Sequence, residues 1–169
     1  MPEDSYIQRL FRREVERSSS LGMDEAVRST AEELSKYVDM EQTKLVAREL
    51  RHKTGIRKRN DLEAAFKVLR KAVAKNGREV LREFDRNTVV VGTNRIVLKT
   101  PGSGCPMVEA CEGDLELCEK LCRKHEEYDI LTSPEFILLT KEINPSIKWR
   151  INRFRSRVDE PCEYAIVLK

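Results

Sequence analysis

Apolar positions in the first part of the chain recur every three or four residues. Tyr6, Ile7, Leu10, Phe11 and Val15 share one face, which predicts an amphipathic helix over about residues 4–18, ended by Ser18-Ser19-Ser20 and Gly22. Val27, Ala31, Leu34 and Val38 trace a second helical face, and Leu45, Val46 and Leu50 a short third one. Asn60 with Glu63 forms an N-cap pattern, followed by the stripe Leu62, Phe66, Leu69 and Val73 up to Asn76-Gly77. The period then changes. Glu79–Phe84, Thr88–Val91 and Arg95–Lys99 predict three strands, the last two joined around Gly92-Thr93-Asn94. Helical patterning returns over 106–111 and 115–128, and Ser133-Pro134-Glu135 starts a further helix that Asn144-Pro145 breaks. Ile147, Trp149 and Ile151 alternate with Lys148, Arg150 and Asn152 as a half-buried strand, and Cys162–Leu168 reads as its return partner.

This order predicts an α+β fold. It comprises a helical region over 1–78 and an α+β region over 79–169, with an antiparallel sheet of about four to five strands and helices on one face. With 169 residues the chain is long enough to bury a real core. No apolar run approaches the roughly 18–20 residues that cross a bilayer. The start Met1-Pro2-Glu3-Asp4 is acidic and lacks the apolar centre of a signal peptide. A cytoplasmic protein without membrane contact is expected. The 36% of charged residues supply many potential ion pairs, a thermophile-like trait.

Charge is uneven. Residues 1–78 hold 18 basic and 13 acidic side chains, and the remainder 14 and 16. The densest cationic run, Arg51 to Arg59, lacks interleaved aromatics. It therefore reads as a solvated loop rather than a nucleic-acid surface. The apolar stripes of the N-terminal helices suit one another or a second subunit, as in a homodimer.

Cysteine changes the picture more. All five lie after residue 104: Cys105, Cys111, Cys118, Cys122 and Cys162. Cys118 and Cys122 are one helical turn apart and share a face. Cys105 comes from a glycine-rich loop and Cys162 opens the final strand. Thiolates from a loop, a helix and a strand can surround zinc or an iron–sulfur cluster. Buried thiols or disulfides remain the alternative, since no paired Cys-x-x-Cys knuckle is present.

From Cys105-Pro106 onward the chain resembles the amino-thiazoline-carboxylate hydrolase-like family, related to vinyl-reductase-type small-molecule-binding domains. The resemblance runs through Cys105-Pro106, Glu116-Leu117-Cys118, Cys122, Asn144-Pro145-Ser146-Ile147 and Cys162-Glu163-Tyr164. It implies an α+β ligand-binding fold whose cysteines suit a metal. It carries over to Cys105, Cys118, Cys122 and Cys162, with zinc ahead of an iron–sulfur cluster. Cys111 has no counterpart and is expected to pack apart as a core thiol.

The implied chemistry is hydrolysis of a carbon–nitrogen bond in a heterocyclic carboxylate. A metal with an open position would activate water, with His125 as general base and Glu126 as its orienting partner. If the strand runs unbroken, Trp149, Arg153 and Arg155 share a face and offer guanidinium forks to a small carboxylate ligand. The competing expectation is a non-catalytic sensor or accessory module with a structural metal, an iron–sulfur cluster or a regulatory nucleic-acid contact. The sequence carries no Gly-rich phosphate loop and only His52 and His125 for base chemistry, which favours binding over catalysis.

Overall fold

The structure, a computed structural model, describes residues 6–36, 39–54, 89–91, 95–100, 102–131 and 134–168. In chain order the elements are α1 (Tyr6–Leu21), α2 (Met23–Ser35), α3 (Met40–Thr54), β1 (Val89–Val91), β2 (Arg95–Lys99), α4 (Pro106–Ala110), α5 (Leu115–Glu127), α6 (Pro134–Ile143), β3 (Ile147–Arg153) and β4 (Glu163–Leu168). The fold is α+β. The expected strand at 79–84, the helix at 60–76 and the basic residues 55–59 lie outside the described residues, as does the Ser133 cap.

Helix α1 runs three residues further than the serine run predicts. Ser18 Oγ donates to the Val15 carbonyl at 2.6 Å and Ser20 Oγ to that of Arg17 at 3.4 Å. The hydroxyls thereby find partners inside the helix instead of competing with it. The break comes at Gly22, whose φ of 89° suits a residue without Cβ. Asp39 caps α3 by accepting from the Gln42 N–H at 3.0 Å, and Asp114 caps α5 by accepting from the Leu117 N–H at 3.2 Å.

Among the described residues the sheet has four strands in the order β1-β2-β4-β3, all antiparallel. Register aligns Ile96 of β2 with Ile166 of β4 and Trp149 of β3, which builds one buried apolar face. Helices α5 and α6 pack on β3, α1 packs on α2 and α4, α2 on α5, and α3 on α6. One cluster unites Val27 of α2 with Met107, Val108, Cys111, Cys118, Leu121, Cys122 and Ile130, flanked by Phe11 and Val15 of α1. Leu10 and Leu121 are fully buried. Burying such a side chain stabilises by about 1.5–3 kcal/mol, so the α1–α2 hairpin is held on the cysteine-bearing helices mainly by its apolar stripe. No described helix is long and apolar enough to cross a membrane.

Candidate functional site

The cysteines meet where the hairpin, α5 and the sheet come together. Cys105 is the residue before α4, at the end of the Gly102–Gly104 loop. That loop is pinned from below: a Cβ on Gly102 would stand 2.6 Å from the Asp159 carbonyl oxygen, so only glycine permits this approach to the 157–160 turn. Cys162 is tied to the end of β2. Its N–H donates to Thr100 Oγ1 at 2.9 Å, and its carbonyl accepts from the Thr100 N–H at 2.9 Å. Cys118 and Cys122 face inward from α5.

Cys118 shares one buried apolar cluster with Cys111 and Cys122. Those two thiols lower its pKa below the ordinary value of 9.0; Arg155 and His125 add to this, and burial opposes it. Cys111 and Cys122 are pushed up in turn, first by Cys118 and then by burial. The trio therefore gives up its first proton more readily than the later ones. Cys122 also feels the charge of Cys105 and Cys162. Burial, then backbone N–H groups and Arg155, govern Cys105, with burial dominant and its thiol raised. Burial raises the Tyr164 phenol well above its ordinary range, and the charges of Cys122, Cys105, Cys162 and Cys118 add to this.

Cys111, Cys118 and Cys122 lie in one buried cluster with Cys105 packed against it. Cys111 follows the last residue of α4, and its Sγ lies 3.8 Å from Sδ of Met107 in the same helix. All five cysteines are free. Among the described residues no three His, Cys, Asp or Glu side chains form a ready-made metal shell. The donors are soft sulfurs suited to zinc or iron, packed as thiols.

Arg155 lies within this group and is only 3% exposed. Its Nε donates to Cys162 Sγ at 3.2 Å and its backbone N–H to the same sulfur at 3.4 Å. Nη1 donates to the carbonyls of Gly102 at 3.4 Å and Val158 at 3.1 Å, stapling the Cys105 loop to the turn before Cys162. Among the described residues no carboxylate bonds to it. Burial works against its charge, and Cys162, Cys105 and Cys118 outweigh that loss.

The anionic-ligand face does not form. Ile151 aligns with Tyr164 but Arg153 with Glu163, so Asn152 is an extra residue that bulges the strand and turns Arg153 to the other side. Arg153 is exposed, Trp149 is buried with its Nε1–H on Thr140 Oγ1 at 3.2 Å, and Arg155 turns to the cysteines.

The expected base pair is also rearranged. Glu126 is occupied by β3, accepting from the Ile151 N–H at 2.8 Å and from Arg150 Nη1 at 3.3 Å. It does not orient His125. His125, 4% exposed, lies with Nε2 at 2.6 Å from Oε1 of Glu14 on α1, which is fully buried. Phe11 covers the imidazole, ring centroids 5.4 Å apart. Glu14 Oε2 has no hydrogen-bond partner among the described residues. Apolar periodicity along α1 does not point to Glu14, a charged residue. The available signal was an acid set inside the stripe, four residues after Leu10 and three after Phe11. A carboxylate-oriented imidazole near an acidified thiol has the parts of a nucleophilic site. No hydrogen bond joins His125 to Cys118, however, and both are buried.

The chain matches no protein-family model, no curated protein and no solved structure. Its function is argued from this geometry.

Proposed function

We propose that this chain is a metal-binding protein whose thiolate centre, Cys105, Cys118, Cys122 and Cys162, holds a thiophilic ion, zinc ahead of an iron–sulfur cluster. The observation that carries the reading is Arg155. A buried guanidinium requires a counter-charge, and its partners are sulfur atoms and carbonyls rather than a carboxylate. The centre is therefore built to be anionic. Four thiolates on a divalent zinc carry net negative charge, and Arg155 offsets part of it. Its N–H donors to Cys162 also leave that sulfur oriented toward its neighbours.

When bound, zinc would supply a tetrahedral cross-link between the Cys105 loop, α5 and the entry to β4. The thiols lose their protons and turn from their present packing to reach it. A shell of four thiolates is closed, so the centre serves as a structural or sensing module rather than a hydrolase. In that reading His125 and Glu14 dock α1, and no water-activating role falls to His125 or Glu126. The resemblance to the amino-thiazoline-carboxylate hydrolase-like group supports the choice of these four cysteines.

The test is metal analysis of anaerobically purified protein together with its absorption spectrum. One zinc per chain and no visible colour are expected, with zinc lost in Cys118→Ser and Cys162→Ser. A brown protein with iron and sulfide would replace zinc by a cluster. Metal-free protein that takes up neither ion on reconstitution would overturn the reading.

A further inference from the structure

The α1–α2 hairpin seals one side of the thiol group, and side chains alone hold it there. Within the hairpin the two helices are tied together: Tyr6 Oη donates to Glu33 Oε1 at 3.3 Å and Arg13 Nη2 to the same oxygen at 3.2 Å. The hairpin rests on α4, α5 and α6. Among the described residues no main-chain hydrogen bond joins residues 6–36 to the rest of the fold. The inner face is apolar, with Val27 buried among Cys111, Cys118 and Cys122, and Phe11 and Val15 packed against them. The rim is polar and exposed. Gln8 Nε2 donates to Glu109 Oε2 at 3.1 Å, Lys124 Nζ to Asp24 Oδ1 at 3.5 Å and Tyr128 Oη to Asp24 Oδ2 at 3.1 Å. Water replaces such surface contacts at little cost. Inside the seam Glu14 is fully buried; one oxygen meets His125 Nε2 at 2.6 Å, and the other has no partner among the described residues. A buried acceptor without a donor counts against the closed state and is relieved by water as soon as the seam parts.

We propose that the α1–α2 hairpin is a cover that lifts off α4, α5 and α6 as one body and admits the metal ion to the buried thiols. Cys118 is 1% exposed and Cys122 8%, so a hydrated ion cannot reach them while the hairpin is down. None of Cys105, Cys118, Cys122 and Cys162 lies on the hairpin, so its departure leaves all four donors on their own segments. The ladders of the sheet do not involve the hairpin either. Opening is therefore a local event that lies below global unfolding in free energy. Phe11, Glu14, Val15 and Val27 leave with the cover, and His125 stays on α5. That an ion is what enters rests on the metal-binding reading; the opening itself does not.

The experiment uses the full chain, reduced and free of metal. Amide hydrogen exchange is followed by mass spectrometry, and iodoacetamide labelling of each cysteine is mapped in parallel. Amides of α1 and α2 are expected to exchange together, at least about tenfold faster than those of β2 and β4, with Cys118 labelled at the hairpin's opening frequency. Two variants separate opening from unfolding. Val27→Ala removes packing that exists only in the closed state, and should speed Cys118 labelling and cobalt(II) uptake about tenfold. Ile96→Val weakens the sheet, which stays folded when the cover lifts. It should speed exchange in β2 and β4 and leave hairpin exchange and Cys118 labelling unchanged. Cobalt that fails to bind while exchange and labelling behave in this way keeps the cover and removes the metal reading. The cover is overturned if α1 and α2 exchange at the rate of β2 and β4. It is equally overturned if Cys118 labelling is speeded by Ile96→Val or unmoved by Val27→Ala.

Discussion

Arg155→Met should make the centre harder to ionise. The thiolate that loses its guanidinium takes up a proton rather than remain an unpaired buried charge. The pH midpoint of Cys118 ionisation, followed by thiolate ultraviolet absorbance or by alkylation rate, should rise by about one unit, a tenfold change. An unchanged midpoint would mean that Arg155 acts only as a staple for the Gly102 and Val158 carbonyls. The pKa directions also set a stability profile for the metal-free chain. Cys118 is lowered in the fold, so its contribution is present above the ordinary value of 9.0 and is lost as pH falls through its folded value. Cys111 and Cys122 are raised, so theirs is present below 9.0 and is lost as pH rises beyond it. The melting temperature of wild type minus that of Cys118→Ser should therefore increase from acid pH toward neutrality and fall again in alkali. A flat difference would contradict the coupled trio. At this scale the sequence exposed the cysteines through their spacing. It hid Glu14 and Arg155, because both depend on which side of a helix or strand meets a distant element.

The elements explain why those two were hidden. Alternation along β3 predicts Trp149, Arg153 and Arg155 on one face only while every residue pairs in turn, and Asn152 is the extra residue that breaks the count. Hydrophobic periodicity placed α1, α5 and both closing strands to within a few residues, since each has an apolar side to bury. It said nothing of which stripe meets which. The docking of α1 on α5 sets the Glu14–His125 pair inside that contact, and this gives a double-mutant prediction. His125→Leu alone leaves Glu14 buried without its partner and should cost about 3–5 kcal/mol by urea unfolding. Glu14→Leu alone should also destabilise. The double variant should recover most of the loss, because an apolar pair suits the surrounding Phe11, Leu10 and Leu121. Additive losses in the double variant would show that the pair does not act as a unit. Gly102→Ala tests the other contact: its Cβ has no room against the Asp159 carbonyl. It should displace the Cys105 loop and weaken zinc binding at least tenfold, read by competition with a chromophoric chelator.

For the whole molecule, the α+β class was legible from element order. The cover was not. The hairpin closes the thiol group because Val27, Phe11 and Val15 complete the same apolar cluster as Cys111, Cys118 and Cys122. An ion bound there joins three separate segments of one core, so saturating metal should stabilise the chain. An ion present at about one hundred times its dissociation constant adds roughly 2.7 kcal/mol. The most direct measurement is titration of the reduced, metal-free chain with cobalt(II), followed by its absorption spectrum. The account predicts saturation at one ion per chain, with sulfur-to-cobalt charge-transfer bands, tetrahedral visible bands and displacement by zinc. Cobalt that stays in its pale octahedral aqueous form throughout the titration would contradict it.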